Sequence, residues 1–523
     1  MFSWPLRALP EAAIFVITDF LIQLDPASRQ PLHQQVYHGI REAILSGKLA
    51  AGIRIPSSRR LAEYLAVSRS TVLVAFEQLV AEGYIQGTVG SGSYVARQVP
   101  DHLLRAPVDR PSTAAALQSP PRLSERGQDL ASLRPARPLP VPYPRAFWTG
   151  VPPVDVFPLA LWSRLAARRL RAMTTADLYH GPSAGRPGLR QAIVTHLAAA
   201  RGMHCEPDQV LILSSAQEAL EFACRLLLDP GERAWMENPG WSGARGALVG
   251  AGARICYVPV DAAGIDVTQG IAEAPQARVV YVSPSHQYPT GTTLSLERRM
   301  ALLNWASETG AWILEDDYDS EFRYSGRPLT ALHGLDTASR VLYVGTFNKT
   351  VFPALRIGYL VLPPSLVQPF LAARRIGGQH APAIEQVVLT DFMTEGHYVR
   401  HLRRSRAACR ERRDTLVAAI ERHAPGLLEL GDTDTGLHTV GWLPKGVDDV
   451  AVSEAAARNG VMATPISGSW VGACERPGLI LGYAGVRPHE ITAAARRLGE
   501  VLSGMVVRPT NGAFPAGSIL PPL

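Results

Sequence analysis

The sequence predicts a multidomain chain: a small N-terminal winged helix-turn-helix, a proline-rich connection, and a large α/β domain with a mostly parallel sheet. Three observations carry this. Two amphipathic helical patterns between residues 57 and 83 are split by a short turn and followed by a glycine-punctuated β pattern. Short apolar runs (VLIL, RVVYVS, AWILED, RVLYVGT) then alternate with helical patterns, as in a parallel sheet flanked by helices. The length of 523 residues also exceeds what one hydrophobic core usually organises. The expected divisions are an N-terminal extension (1–24), the winged unit (25–97), a linker (98–145), the α/β domain (146–502) and a tail (503–523) expected to be disordered.

Composition narrows the class. Hydrophobic residues make up 46% and charged residues 19%, which suits a soluble globular protein. The net charge of +6 admits nucleic acid as a partner, although an arginine-rich composition alone would also produce it. The five cysteines are scattered, with no CxxC pair, so reduced thiols in a cytoplasmic protein without a zinc site are expected. AAIFVITDFLIQL near the N-terminus is interrupted by Asp19 and too short to span a membrane. It lacks a small-residue cleavage site, so it reads as an added strand or helix, or a misassigned start, rather than a signal peptide.

The winged unit begins with PLHQQVYHGIREAILSG, which puts Val36, Ile40, Ala43 and Ile44 on one helical face before Gly47 stops it. In the next segment Ser57 or Ser58 can cap a short helix whose Leu61 and Leu65 face inward. Val67 turns the chain, and Ser68 caps a second helix with Val72, Phe76 and Leu79 as its buried stripe and Gly83 as its stop. Two short strands around Gly87, Gly90 and Gly92 complete a β-hairpin wing. In such a unit the second helix offers its first residues, here Arg69, Ser70 and Thr71, to the major groove of double-stranded DNA. Ser58 and Arg59 open the preceding helix, where phosphate contacts are usual. A plain helical interaction domain with solvated arginines is the alternative. The stretch PSSRRLAEYLAVSRSTVLVAFEQLVAEGYIQGTVGSGSYV resembles the winged-helix domain of the GntR family.

The linker segment, rich in proline and poor in apolar periodicity, suits an extended, semi-stiff connection. The α/β domain then offers four motifs in order. LILSSAQEAL runs a strand into Ser215, Ala216 and Gln217 at a helix start, where free N–H groups and the helix dipole suit a phosphate. Trp241 follows a Pro-Gly turn and could stack on a flat cofactor, or be core. Asp316 ends the apolar strand AWILED, at the edge where open α/β sheets bind ligands, with Tyr318 two residues on. A metal site from Glu315, Asp316, Asp317 and Asp319 is the alternative there, without a histidine cluster to support it.

The fourth motif is TFNKTVFPALRIGY, where an apolar strand leads to Lys349 and then Arg356. Only Lys48, Lys349 and Lys445 are lysines among 52 basic residues. A Schiff base needs an amine that can lose its proton; a lysine can, and a guanidinium stays charged. Together these parts fit pyridoxal 5'-phosphate (PLP). Lys349 would form the aldimine, and Asp316 would hold the pyridine nitrogen protonated. Tyr318 would bond the ring hydroxyl, and Trp241 would cover the ring. The Ser215–Gln217 turn, Thr346 and Arg356 would hold the phosphate.

The α/β domain resembles the fold-type I PLP-dependent transferases over roughly 350 residues. Joined to a GntR-type winged helix, it resembles the MocR family of transcription regulators, as do SPSHQYPTG, EDDYDSEFRY and GHYVRHLRRSRAACRERRD. The resemblance implies a small C-terminal α+β subdomain and a head-to-tail homodimer. It also implies the cofactor roles of Asp316, Tyr318, Lys349 and Arg356. Two positions depart from the pattern. Asn348 stands where serine is usual. Ile480 stands where aminotransferases commonly carry the arginine that grips a substrate carboxylate, with Arg476, Arg487 or another arginine as substitutes. The expected function is a DNA-binding regulator whose aminotransferase-like domain senses a small amine, an amino acid or PLP itself. An active aminotransferase with an added DNA-binding domain is the alternative, and a binding protein without cofactor a third reading.

Overall fold

A computed structural model describes residues 22, 24–25, 28, 30–88, 92–97, 123–133, 145–179, 181–326, 329–378 and 380–506. Nearly all of the N-terminal extension, most of the linker, Gly90 of the hairpin and the tail beyond 506 lie outside these residues. The chain divides into two compact units, Met1–Arg122 and Leu123–Leu523.

In the first unit, α1 (Leu32–Leu45) buries Val36, Ile40, Ala43 and Ile44 together with Tyr37, and Gly47 follows at φ +77°. Helix α2 (Ser58–Tyr64) is capped by Ser57, whose hydroxyl accepts from the Arg60 N–H; Ser58 is its first residue. Helix α3 (Arg69–Ala81) is capped by Ser68, whose side chain accepts from the Thr71 N–H at 3.2 Å. Satisfying a free N–H this way fixes where each helix starts. Three short strands form one small sheet with the helices: β1 (Arg54–Ile55), β2 (Ile85–Thr88) and β3 (Gly92–Val95), in the order β1-β3-β2. Ile55, Ile85 and Val95 share one core with Val72, Phe76 and Leu79, so the wing is packed onto the helix pair.

The second unit begins with a departure from expectation. Within the segment expected to be extended, α4 (Glu125–Ser132) is helical. Ser124 caps it by accepting from the Gly127 N–H at 3.0 Å. Its stability comes from distant contacts: Leu130 and Leu133 approach Gly250 and Gly246, and the Arg126 guanidinium reaches the Gly250 carbonyl at 3.4 Å.

The main sheet holds β4 (Val210–Leu213), β5 (Arg233–Asn238), β6 (Arg254–Asp261), β7 (Gly264–Ile265), β8 (Val279–Val282), β9 (Trp312–Asp317), β10 (Val341–Thr346) and β11 (Gly358–Val361). Their order is β4-β11-β10-β9-β8-β5-β6-β7. The run from β10 through β9, β8 and β5 to β6 is parallel, and β11, β4 and β7 are antiparallel to their neighbours. Buried Val, Ile and Leu on both faces explain the continuous apolar runs. Helix α5 (Ala216–Leu227) follows β4, and α6 (Ser242–Ala251) follows β5.

A smaller α+β part closes the unit. Strands β12 (Glu429–Leu430), β13 (His438–Trp442), β14 (Thr464–Pro465) and β15 (Gly478–Gly482) pair in the order β12-β13-β15-β14. Helices α7 (His397–His423) and α8 (Pro488–Val506) share its core through Leu416, Ile420, Ile491 and Leu498. Phe147 forms a bridge to Gly482, which brings the segment through Thr149 and Gly150 alongside the small sheet.

Candidate functional site

A cavity of about 390 Å³ opens at the carboxyl ends of β9 and β10. All nine residues singled out above for a cofactor line it. Each arrives for a local reason.

Ser215 sits at the N-cap of α5, and its hydroxyl accepts from the Glu218 N–H at 3.1 Å. Ala216 and Gln217 form the first turn, with their N–H groups outside the helical ladder. β11 passes close behind: a Cβ on Gly358 would lie 2.6 Å from the Ser215 carbonyl carbon and 2.9 Å from the Ala216 nitrogen. Thr346, at the end of β10, accepts from the Asn348 N–H at 3.2 Å. Arg356 is exposed at the rim, holds a left-handed φ of +54°, and forms no ion pair among the described residues. Trp241 caps the start of α6. The absence of a side chain at Gly243 lets the indole lie against it, since a Cβ there would be 2.4 Å from the ring and from the Gln217 amide oxygen.

Alternation along β9 sorts its acidic run. Glu315 and Asp317 share one face; Glu315 is engaged through both oxygens and Asp317 through Oδ2, its buried Oδ1 having no partner among the described residues. Glu315 accepts from the Leu332 and His333 N–H groups at 2.7 and 2.8 Å, while Asp317 pairs with Arg201 and accepts from the Tyr343 hydroxyl, each at 2.6 Å. Asp316 faces the cavity. Its Oδ2 accepts from the Tyr281 hydroxyl at 2.8 Å, and its Oδ1, buried, has no partner among the described residues. Burial, with the neighbouring Asp317 and Asp319 carboxylates, raises the Asp316 pKa to about 7, against the opposing hydrogen bond from Tyr281 and the charge of Lys349. Among the described residues the four carboxylates therefore do not converge; Asp319 lies with His286 and His438 instead.

Lys349 points its amine to the Gly150 carbonyl at 2.7 Å. Burial pushes its pKa down, against the pull of Asp319 and Asp316. A fully desolvated lysine held this way can give a neutral amine. These features suit PLP. The orphaned Asp316 oxygen matches a pyridine N–H, the helix start and Arg356 match a phosphate, and the buried amine matches an aldehyde.

Behind the cavity lies a cluster that the sequence motifs did not reveal. His286, Asp319 and His438 are buried, with side-chain nitrogen and oxygen atoms within 4.8 Å of one another. His286 Nδ1 lies 3.0 Å from Asp319 Oδ2 and 3.0 Å from the Tyr318 oxygen. The carboxylate must accept, so Nδ1 carries the ring hydrogen, and the Tyr318 oxygen accepts from the same N–H. Tyr318, whose pKa burial raises well above normal, therefore keeps its own hydrogen to donate elsewhere. Tyr281, Tyr288, Thr149 and Gly150 also line the cavity. Of these, only SPSHQYPTG drew attention as a segment, and no role followed for its His286 or Tyr288. Ile480 is fully buried on β15, packed with Val440, Ile466 and Tyr288. Arg476 turns outward over Trp442 and pairs with Glu429, and neither Arg476 nor Arg487 lines the cavity.

In the first unit, Arg59, Arg69 and Ser70 are exposed at the starts of α2 and α3, Ser58 and Thr71 half-buried. The Ser68 hydroxyl lies 2.7 Å from that of Ser70 and 2.8 Å from that of Thr71. Arg69 Nε reaches the Ser58 hydroxyl at 3.4 Å, tying the two helix starts together.

Comparison with known proteins follows the same division. Residues 32–95 match the model for bacterial regulatory proteins of the gntR family, and residues 158–498 match aminotransferase class I and II. The probable rhizopine catabolism regulatory protein MocR of Rhizobium meliloti is 37% identical, over 95% of this chain and 98% of its own. The chain belongs to the MocR-type transcription regulators. Within the family, the HTH-type transcriptional regulator TauR of Rhodobacter capsulatus is 34% identical over 92% of this chain and 98% of its own. Among solved structures, LysN, an alpha-aminoadipate aminotransferase from Thermus thermophilus complexed with N-(5'-phosphopyridoxyl)-L-leucine, superposes with a TM-score of 0.64. It is 26% identical, over 75% of this chain and 97% of its own. No described helix is long and apolar enough to cross a membrane.

Proposed function

We propose that this protein is a PLP-binding regulator that reads operator DNA through its winged helix and senses a small amine, or PLP itself, through its aminotransferase-like domain. The observation that carries this reading is the cavity itself. An unpartnered, buried Asp316 oxygen and a buried, uncharged-leaning Lys349 share it, on a chain that also presents a capped helix with exposed Arg69.

When bound, PLP supplies an aldehyde that captures primary amines and a ring that draws electrons from them. The chain's own residues do the rest. Asp316 holds the ring nitrogen. The first turn of α5, with Thr346 and Arg356, holds the phosphate, and Trp241 covers the ring. Tyr318, with its oxygen fed by His286 N–H, donates its hydrogen toward the ring hydroxyl oxygen. Lys349 would present its amine to the aldehyde, and the Gly150 carbonyl accepts from that amine when it is free. An effector shifts DNA binding only by favouring one arrangement of the chain over another. A homodimer would put two reading helices on one operator.

The apolar setting of Ile480 supports sensing over turnover, because a plain amino acid loses the bidentate anchor that fixes it for catalysis. Borohydride treatment of purified protein followed by peptide mapping tests the cofactor reading. Cofactor is expected on the Lys349 peptide; fixation at another lysine, or none after incubation with PLP, would refute it. Release of keto acid over many turnovers would favour the enzyme instead.

A further inference from the structure

The cavity selects among amines by what it offers to the rest of the molecule. Among the described residues lining it, Arg356 is the single arginine and Lys349 the single lysine. In the function proposed above, on which this inference rests, the first grips phosphate and the second meets the cofactor. The remaining charges are carboxylates, Asp316 and Asp319. The wall that would carry a carboxylate-binding arginine is apolar, with Ile480 packed against Val440 and Tyr288. A second anion would enter this space facing two acids and, among the described residues, no free cation.

What the wall does offer is an unpartnered ring nitrogen. His438 lines the cavity at the start of β13 and is only 2% exposed. Its Nε2 has no partner among the described residues. A neutral imidazole presents there either a lone pair or an N–H, and a hydroxyl can pair with both. Burial, then the neighbouring His286 and Lys349, keep the imidazole neutral. The faces of the ring are taken by His286 and Tyr288, with ring centroids 5.0 and 5.4 Å away. A buried polar atom left unsatisfied is costly, and a ligand that brings a hydrogen-bonding partner relieves that cost. The effector's amine is already committed to the cofactor, so the partner must be a second group.

We infer that the effector is a hydroxyl-bearing primary amine without an α-carboxylate, its hydroxyl hydrogen-bonded to His438 Nε2. The matched series alaninol, isopropylamine and alanine tests this, because the three differ only in carrying a hydroxymethyl, a methyl or a carboxylate beside the same amine carbon. The full-length protein loaded with PLP is titrated with each and followed by cofactor absorbance. Alaninol is expected to bind roughly tenfold tighter than isopropylamine, the scale of one neutral hydrogen bond in a dry site, and tighter than alanine. His438→Leu is expected to bring the alaninol-to-isopropylamine ratio close to one, and His438→Gln, which restores a polar partner, to recover part of it. Because the ratio is read within one protein, a general loss of affinity does not imitate the effect. Tighter binding of alanine than of alaninol, or a ratio that survives His438→Leu, would overturn the inference while leaving amine sensing intact. No spectral response to any of the three amines would instead overturn the sensing reading, and this inference with it.

Discussion

At the scale of single residues, a buried ammonium is costly, and Lys349 avoids much of that cost by leaning toward its neutral form. The Lys349→Ala variant is therefore expected to lose all borohydride-fixed cofactor while remaining folded, which mass spectrometry and circular dichroism check together. Asp316 makes the opposite compromise. Its pKa stands near 7 instead of 3.8, so the folded protein binds a proton there that the unfolded chain has lost. Its favourable contribution is present below about pH 4 and disappears as pH rises through about 7. In cofactor-free protein, Asp316→Asn should keep the bond from Tyr281 and remove a buried charge, raising stability at pH 8 by about 1–3 kcal/mol. The gain should fade as pH drops toward 4, and cofactor affinity should fall sharply at the same time. Glu237 and Glu315, also raised to about 7 by burial, should leave the variant with part of the wild-type pH dependence. Thermal melts across pH, with and without PLP, decide this; a variant less stable at pH 8 contradicts it.

At the scale of elements, the site depends on how closely backbone segments approach. Gly358 lets β11 run against the turn into α5, so Gly358→Ala should displace that turn and weaken PLP binding by tenfold or more, roughly the 1–3 kcal/mol of a lost charged hydrogen bond. Equilibrium dialysis with PLP reads the loss; unchanged affinity would separate the turn from phosphate binding. In the first unit, Arg69→Ala should weaken operator binding by about 1–3 kcal/mol at physiological salt, measured by fluorescence anisotropy, while Ser68 keeps α3 capped.

Much of this was legible because caps, turns and strand ends are local. Ser68 before a periodic apolar stripe placed α3, and apolar runs ending in Asp316 or Thr346 placed the strand ends that carry the site. The illegible parts depend on distant partners. Helix α4 lies against α6, and a proline-rich segment gives no hint of that contact. Tyr281 reads as a buried strand residue until its hydroxyl is found on Asp316. His438 has no motif around it, and it meets His286 only because β13 of the small sheet packs beside the cavity.

At the scale of the whole molecule, the chain joins a DNA-reading unit to a cofactor cavity, and each is built from complete local parts. A regulator needs the two to communicate, so occupancy of the cavity must change occupancy of the operator. The most direct test follows both at once: full-length, PLP-loaded protein bound to its own upstream DNA, titrated with alaninol while cofactor absorbance and DNA anisotropy are recorded. The two signals are expected to change with a common midpoint, and Lys349→Ala to lose both responses. DNA anisotropy that stays constant while the cofactor spectrum shifts, or that responds equally in Lys349→Ala, would contradict sensing through this cavity.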